Sequence, residues 1–446
     1  MTGRGKFLNE KIERLPRKDL IKLQTEGVRK VFQRARERSS FYRNFLEEKG
    51  CENVQIKTLE DVQRIPLMSK KEARGAFPDK LLLVEKEEVR EVHATSGTTG
   101  KPVYTFATRR DLERWAERNG RSLWAMGFRP GDSFMVLGMY GLSSGGLGYH
   151  YGCQHINLFV IPTEVGQAQK KVEMIEDLKI TGIGGSPSFI AYMAQLAHDN
   201  GMQFETKPYP KRAMFGGEPA AKSTRDKMEA LFGIKAYDEY GLTELLGPGM
   251  TSECERQEGM HVWSDHVLLE CVDPDSGEWM PEGEEGELVW TFLASEAMGV
   301  IRYRSGDLSR IIPETCPCGR THPRMASIKG RIDDGVSIGG FIVFPSQAED
   351  VLNKFEEAGS NFQLVVDSDP RGLDRLTVNL EVSDRNLLSD EAKSNDLTNR
   401  VKENLQLVLG VTPKEINLVE PDTLPRATDS QSKTATHRVV DRRKKD

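Results

Sequence analysis

Short apolar runs alternate with helically spaced stretches along the first half of the chain. Val89–His93, Phe134–Leu137, Leu158–Pro162, Thr181–Gly184, Arg212–Phe215 and Lys235–Asp238 read as strands. Between them, Leu112–Met126, Lys171–Leu178, Ser188–His198 and Ala221–Phe232 carry apolar residues at helical spacing. Thr108-x-x-Asp111 predicts a capping box ahead of the first of these helices, and Pro130-Gly131-Asp132 a turn before the second strand. This alternation predicts a layered α/β domain with mostly parallel strands and functional loops at their carboxyl ends. Upstream, 15–49 reads as one basic helix whose apolar positions Leu20, Leu23, Val28, Val31 and Phe32 dock it on the surface.

The pattern changes after Tyr240. His261–Val272 and Gly286–Leu293 look like strands, with an Asp273–Gly277 turn between them, which predicts a β-subdomain. A glycine-rich stretch at Gly330–Gly340 reads as a hinge. Beyond it, Ser346-x-x-Glu349 caps a helix, Phe362–Asp367, Arg375–Val382 and Glu415–Glu420 read as strands, and Leu397–Leu409 as a helix. The charged tail 438–446 is expected to fray. The expected fold is α/β: a large layered N-terminal α/β domain with a β-subdomain (1–332) and a small mobile C-terminal α+β domain (333–446).

Composition narrows the function. The chain has 446 residues, 37% hydrophobic and 29% charged, with a net charge of -6. That balance gives no general attraction to nucleic acid or anionic lipid, so neither is an expected partner. No run is long enough to span a bilayer and the N-terminus shows no signal-peptide core, so a cytoplasmic location is expected. Six cysteines do not make a disulfide scaffold in a chain of this size. Cys51, Cys153 and Cys271 are isolated and read as reduced.

The chemistry concentrates in short segments. Thr95-Ser96-Gly97-Thr98-Thr99-Gly100-Lys101-Pro102 packs hydroxyls, glycines and a lysine after a strand, which suits a polyphosphate. It lacks Walker A spacing, and the competing reading of it alone is a polar turn. Gly216-Gly217-Glu218 would let a flat base approach the backbone. Tyr240-Gly241-Leu242-Thr243-Glu244 offers an aromatic face and a carboxylate suited to Mg²⁺. Ser305-Gly306-Asp307 supplies an acceptor for ribose hydroxyls, and Gly330-Arg331-x-Asp333-Asp334 an arginine and two acids at the hinge. Separately, Cys254, His261, Cys316 and Cys318 make a closed tetrahedral zinc set, with His322 or His266 as alternatives to His261. The competing reading of that set is reduced cysteines with no metal.

In this order, TSGTTGKP, GGE, YGLTE, SGD and GRIDD resemble the adenylate-forming superfamily of acyl-CoA synthetases. Ser39–Tyr42, Tyr140–Leu142, Gly145–Gly148, His150–Gly152, Val300–Arg304 and Phe344–Gln347 are similar to its phenylacetate–CoA ligase branch. The resemblance runs over nearly the whole chain. It implies that a carboxylate attacks the α-phosphate of Mg·ATP and that coenzyme A then displaces AMP. Ser96, Thr98, Thr99 and Lys101, with Gly97 and Gly100, would hold the phosphates. Tyr240 would stack on adenine beside Gly216, Gly217 and Glu218, with Asp238, Gly241 and Thr243 also at the nucleotide. Glu244 would bind Mg²⁺, Asp307 the ribose and Arg331 the nucleotide. Asp333 would be the pivot between half-reactions. Lys433 would reach the α-phosphate, although Ser432 stands where the family has glycine and the spacing to Arg426 and Arg438 departs from the pattern. The implied catalytic set is Lys433, Glu244, Thr98 and Thr99.

The resemblance places the acyl pocket at Tyr140, Ser143, Gly145, Phe215, Glu239 and Pro248. Ser143 replaces an aromatic residue and Glu239 an apolar one. The first change enlarges the pocket and the second admits a polar substituent, which points away from phenylacetate itself. Tyr140, Phe215 and Pro248 still predict an aryl or other ring-bearing acid. Transfer to an amine or a carrier-protein thiol is the alternative to CoA. A nucleotide-binding protein without catalysis and a zinc-bearing nucleic-acid binder are disfavoured by the intact acidic residues and the net acidity. A homodimer is one expected assembly.

Overall fold

The computed structural model describes residues 5–76, 79–95, 102–138, 140–164, 166–332, 335–338, 341–368, 374–425 and 438–443. Contacts divide the chain into two units, Met1–Gly217 with Leu231–Ser327 and Glu218–Ala230 with Ile328–Asp446. Among the described residues no helix is long and apolar enough to cross a membrane.

In the first unit the basic N-terminal segment forms two helices, α1 (Arg17–Arg38) and α2 (Ser40–Glu48), where the sequence predicted one. Ser39 breaks them. Its backbone is extended, and its hydroxyl accepts from Tyr42 N at 3.2 Å, the hydrogen bond of an N-cap. The Thr108 capping box is present ahead of α3 (Arg109–Ala125): Thr108 N donates to Asp111 Oδ2 at 3.1 Å and Asp111 N to Thr108 Oγ1 at 3.2 Å. Helices α4 (Ser144–His155), α5 (Ala168–Leu178) and α6 (Pro187–Asp199) follow.

Strands β1 (Val89–Ala94) and β2 (Tyr104–Thr108) form an antiparallel hairpin. The main sheet contains β3 (Ser133–Val136), β4 (Phe159–Pro162), β5 (Gly182–Gly185), β6 (Arg212–Phe215) and β7 (Lys235–Tyr240), all parallel, in the order β7-β6-β5-β3-β4. Their connections run through helices, the arrangement that parallel strands require. Strand β5 reads Gly-Ile-Gly-Gly because rings cover it: a Cβ at Gly182 would lie 2.2 Å from Phe128, and one at Gly184 2.3 Å from Phe134. Past β7 the sheet turns antiparallel through β8 (Thr251–Ser252) and β9 (Met260–Val262). It ends in β10 (Val267–Val272), β11 (Glu285–Phe292), β12 (Tyr303–Ile312) and β13 (Arg324–Met325), so that the order from β7 is β8-β9-β13-β12-β11-β10. The strand expected over 261–272 is broken at Trp263–His266. There Ser264 N donates to His322 Nδ1 at 3.1 Å in place of a ladder partner, while the Trp263 indole donates to Ser122 Oγ at 2.8 Å.

The second unit has its own core, including Val343, Leu352, Leu364, Val378, Leu380, Leu397, Val401 and Leu405. Helix α7 (Lys222–Phe232) contributes Thr224, which donates to Glu349 Oε1 at 3.0 Å. Helix α8 begins at Pro345, not after Ser346, and runs Pro345–Leu352. Gln347 Oε1 closes its first turn by accepting from Phe344 N at 3.0 Å, while Ser346 donates to Lys329 O. Helix α9 (Glu391–Leu409) packs on a sheet of β14 (Ala358–Ser368), β15 (Asp374–Val382), β16 (Glu415–Val419) and β17 (Val439–Asp441), ordered β16-β15-β14-β17. The described end of the tail is therefore a strand, with Leu364 opposite Val439, and not a frayed end. Arg438 fixes its entry by pairing with Glu349 and lying over the Phe362 ring.

Candidate active site

The hydroxyl- and glycine-rich segment is the connection of the β1–β2 hairpin. Ser96, Gly97, Thr98, Thr99, Gly100 and Lys101 lie outside the described residues, as do Asp333 and Lys433. Thr95 N donates to Val103 O at 3.0 Å, Val103 N to Thr95 Oγ1 at 3.0 Å, and Ala94 N to Leu142 O at 2.8 Å. The last bond sets the hairpin against the Tyr140–Gly145 segment that opens α4.

The carboxyl ends of β6 and β7 lie side by side. Gly216 has no room for a side chain, since a Cβ there would be 2.4 Å from Glu239 Oε1, and Gly217 has φ +85°, which favours glycine. Asp238 N donates to Glu253 Oε2 at 2.8 Å and Ser327 Oγ to Asp238 Oδ2 at 2.8 Å. The ring of Tyr240 stacks on Trp290 of β11, centroids 5.6 Å apart at 23°. Its hydroxyl donates to Asp307 Oδ2 at 2.6 Å, while Tyr303, on the same strand as Asp307, donates to Glu244 Oε1 at 2.9 Å. On β12 the alternate residues Tyr303, Ser305, Asp307 and Ser309 are buried, which puts the partners of Glu244 and Tyr240 on the buried side even though the pairing with β11 is irregular between Arg304 and Leu308. Thr243 stands 3.4 Å from Ser144 Oγ, which joins this loop to the start of α4.

Glu239 is only 4% exposed. Tyr149 donates to its Oε1 at 2.7 Å and Gly249 N to its Oε2 at 2.9 Å. Burial pushes its carboxyl up to about 7. Nearby Arg118 is fully buried and pushed down to about 10 by desolvation. It donates to Leu245 O at 3.2 Å, while Trp115 Nε1 and Asn119 Nδ2 each donate to Pro248 O at 3.1 Å. Helix α3 thus grips the loop that carries Glu244. Phe215 is buried, Ser143 and Gly145 are half-buried at the start of α4, and Tyr140 bonds to His150 Nδ1 at 3.1 Å. Glu218 and the half-buried Arg331 fall in the second unit.

Cys254, His261, Cys316 and Cys318 converge, with one ligand atom from each and all within 4.8 Å of one another. Cys254 Sγ is 3.7 Å from Cys316 Sγ, and Cys318 Sγ is 3.3 Å from His261 Nε2. All four are buried. The other two histidines are engaged elsewhere. His322 accepts at Nδ1 from Ser264 N at 3.1 Å and donates through Nε2 to Ile12 O at 3.0 Å, and His266 bonds to Glu117 at 3.1 Å. Hydrogen bonds with Cys254 hold the Cys316 and Cys318 thiols below their ordinary value.

Sequence reasoning did not single out Trp290, Tyr303, Tyr149 or Arg118 as site residues. A signal existed for Tyr303: it sits four residues before Asp307, which on a strand is the same face. None existed for Arg118, a charge inside a helix that reads as amphipathic.

Two family models match the chain: AMP-binding enzyme over 23–291 and AMP-binding enzyme C-terminal domain over 340–443. A phenylacetate-coenzyme A ligase of Thermus thermophilus is 38% identical, over 97% of this chain and 99% of its own. One from Escherichia coli is 35% identical, over 92% and 93%. A crystal structure of 2-hydroxyisobutyryl-CoA ligase in the postadenylation state matches 99% of this chain and 93% of its own, with TM-score 0.89 and 28% identity. With both family models and full-length relatives above 30% identity, the chain belongs to the AMP-binding enzyme family, among its AMP-forming acid–CoA ligases.

Proposed function

We propose that this protein joins an aryl or other ring-bearing carboxylic acid to coenzyme A. The supporting observation is the pairing of Tyr240 with Asp307 and of Glu244 with Tyr303. It gathers an aromatic face, a ribose acceptor and a hard oxygen ligand on β7, β12 and the loop between β7 and β8. A carboxylate oxygen of the acid attacks the α-phosphorus of ATP and pyrophosphate leaves. The thiolate of coenzyme A then attacks the carbonyl carbon and AMP leaves.

The residues have distinct tasks in that sequence. Tyr240 offers adenine the face turned away from Trp290, and Asp307 accepts from the ribose hydroxyls. Ser96, Thr98, Thr99 and Lys101 hold the outer phosphates, with Gly97 and Gly100 allowing close approach. Glu244 would hold Mg²⁺, for which a carboxylate oxygen fixed by a neighbouring hydroxyl is a fitting donor, and the cation would supply positive charge against the phosphates. Lys433 reaches the α-phosphate during adenylation, and the small C-terminal part, turning at Asp333, acts as a lid over the N-terminal adenylation domain. Tyr140, Ser143, Gly145, Phe215 and Pro248 line the acyl site, with Glu239 beneath it. Both Glu239 oxygens accept bonds from the protein, so it shapes this site through Tyr149 and Gly249.

Zinc fits the cysteine–histidine cluster. Zinc–sulfur bonds of about 2.3 Å in a tetrahedron set neighbouring sulfurs about 3.8 Å apart. The observed 3.7 Å between Cys254 and Cys316 matches that edge. Four protein ligands leave no position for water or substrate, so the role is structural. Cytoplasmic residence accords with six unpaired cysteines.

The test is a panel of carboxylic acids with ATP and Mg²⁺, scored for pyrophosphate with and without coenzyme A. Ring-bearing acids should release pyrophosphate before coenzyme A is added, and thioester should form only afterwards. ADP and phosphate as products, or activity confined to short aliphatic acids, would overturn the proposal.

A further inference from the structure

Glu244 sits on a short helical turn, Thr243–Leu245, between β7 and β8. The turn is held by its backbone: Arg118 donates to Leu245 O at 3.2 Å and to Leu246 O at 2.5 Å. Those bonds fix where the turn lies. They do not fix the direction of the carboxyl group, which has two rotatable bonds between Cβ and the carboxyl carbon.

Tyr303 supplies that direction. Its hydroxyl donates to Glu244 Oε1 at 2.9 Å across 59 residues of sequence. The tyrosine itself is rigidly placed. It is 2% exposed, its register partner on β11 is Trp290, and the flanking residues bond to Met68 on the other side, Met68 N to Arg302 O and Arg304 N to Met68 O, each at 2.9 Å. A hydroxyl on a strand bonded along both edges is a fixed donor. A carboxylate that accepts it at one oxygen keeps lone pairs at the other. Asp307 lies four residues along on the same buried face and accepts the Tyr240 hydroxyl at 2.6 Å. One strand therefore holds both carboxylates in relation to the ring of Tyr240.

We infer that Tyr303 is a positioning residue for the nucleotide-bound cation: it holds Oε1 of Glu244 and presents Oε2 to the metal, from the strand face that carries Asp307. This rests on the reading of Glu244 as the cation ligand. Tyr303 itself touches neither nucleotide nor metal. Without its hydroxyl, Glu244 remains an acceptor but loses its fixed orientation, so the metal has to order it on binding.

The experiment compares Tyr303→Phe, Glu244→Gln and the double variant. Tyr303→Phe keeps the buried ring and removes one oxygen, and melting temperatures report whether the fold is retained. Three quantities are measured on each full-length protein: the Mg²⁺ concentration for half-maximal pyrophosphate release, Mn²⁺ binding to the enzyme–ATP complex by electron paramagnetic resonance, and ATP binding without metal by calorimetry. Tyr303→Phe should raise the Mg²⁺ midpoint and weaken Mn²⁺ binding about ten-fold, the scale of one hydrogen bond to a charged group. Metal-free ATP binding should stay within about two-fold of the parent, which a merely structural role would not ensure. In the Glu244→Gln background, Tyr303→Phe should shift the metal midpoint no further, because the two act through one ligand. A Glu244→Gln shift with none in Tyr303→Phe would overturn the role of Tyr303 alone. Unchanged metal dependence in Glu244→Gln would overturn both readings. Equal shifts that add in the double variant would show that Tyr303 acts elsewhere.

Discussion

Glu244 and Asp307 each accept a tyrosine hydroxyl, whereas Cys254, His261, Cys316 and Cys318 turn their ligand atoms on one another. Both groups have a member on the main sheet: Asp307 on β12 and His261 on β9, with β13 between those two strands. The difference lies in what is left over. A carboxylate such as Glu244, held at Oε1 by Tyr303, can still accept at its other oxygen from a ligand that arrives and leaves. Four donors converging on one point have none, and can only hold their strands and loops together. The first arrangement suits turnover and the second stability. Arg320 belongs to the second: fully buried beside Cys318, it pairs with Glu13 at 2.7 Å and ties the N-terminal segment to the cluster.

The sharpest way to break the comparison is to neutralise the first group. Glu244→Gln should lower turnover by about 10³-fold while retaining metal-free nucleotide binding, because an amide is a poor cation ligand beside phosphates. Pyrophosphate release across a Mg²⁺ titration is the measurement. Near-parental turnover at saturating Mg²⁺ would remove Glu244 from the cation site.

Lys433→Ala extends the same question to the small domain. Adenylate formation should fall about 10²-fold, the effect of losing one charge-stabilising donor. Thioester formation from supplied acyl-adenylate and coenzyme A should hold. Equal loss of both half-reactions would leave the α-phosphate without a lysine partner in this chain.

The cysteine–histidine group should respond in the opposite sense. Protein purified without added zinc should carry about one equivalent, and Cys318→Ser should lower the melting temperature by about 10 °C with little effect on the chemistry of the folded fraction. Metal analysis below a tenth of an equivalent in reduced protein would reject the site.

The smallest effect concerns Glu239, a carboxyl closed on itself inside the first group. Its folded value of about 7 exceeds the ordinary 4.5. Between those values the folded state binds more protons than the unfolded state, so stability falls as pH rises from about 5 to 7 and levels off above. Glu239→Gln should flatten the slope, since an amide can donate to Tyr149 and accept from Gly249 N without titrating. Melting curves from pH 5 to 8 in both proteins decide it; parallel slopes would show that Glu239 is ionised throughout.

Local chemistry was legible wherever the partners are near in sequence. The Thr108–Asp111 capping box needs three residues, and the strand–helix alternation needs only its own periodicity. The cysteine–histidine quartet was legible for another reason: soft ligands are few, and only a small number of them can form a set. Legibility failed where a bond crosses the fold. Ser39 reads as part of a helix until its hydroxyl is seen to cap the next one. Trp263 reads as strand until its indole is seen to reach Ser122 on α3. Arg118, which sequence reasoning did not single out, is buried, and the loop after β7 offers it carbonyls.

The sequence by itself determined most of the strand–helix alternation, the order of the segments, the three cysteines of the cluster and the kind of residue at each candidate position. These depend on side-chain chemistry and on neighbours a few residues away, which the chain carries in any conformation. The tertiary structure alone decided which tyrosine holds which carboxylate, that Trp290 backs Tyr240, that Glu239 is sealed rather than displayed, and that His261 joins the cysteines in place of His322 or His266. Those outcomes depend on strand register, and a slip of one residue would turn Tyr303 and Asp307 together to the other face of the sheet.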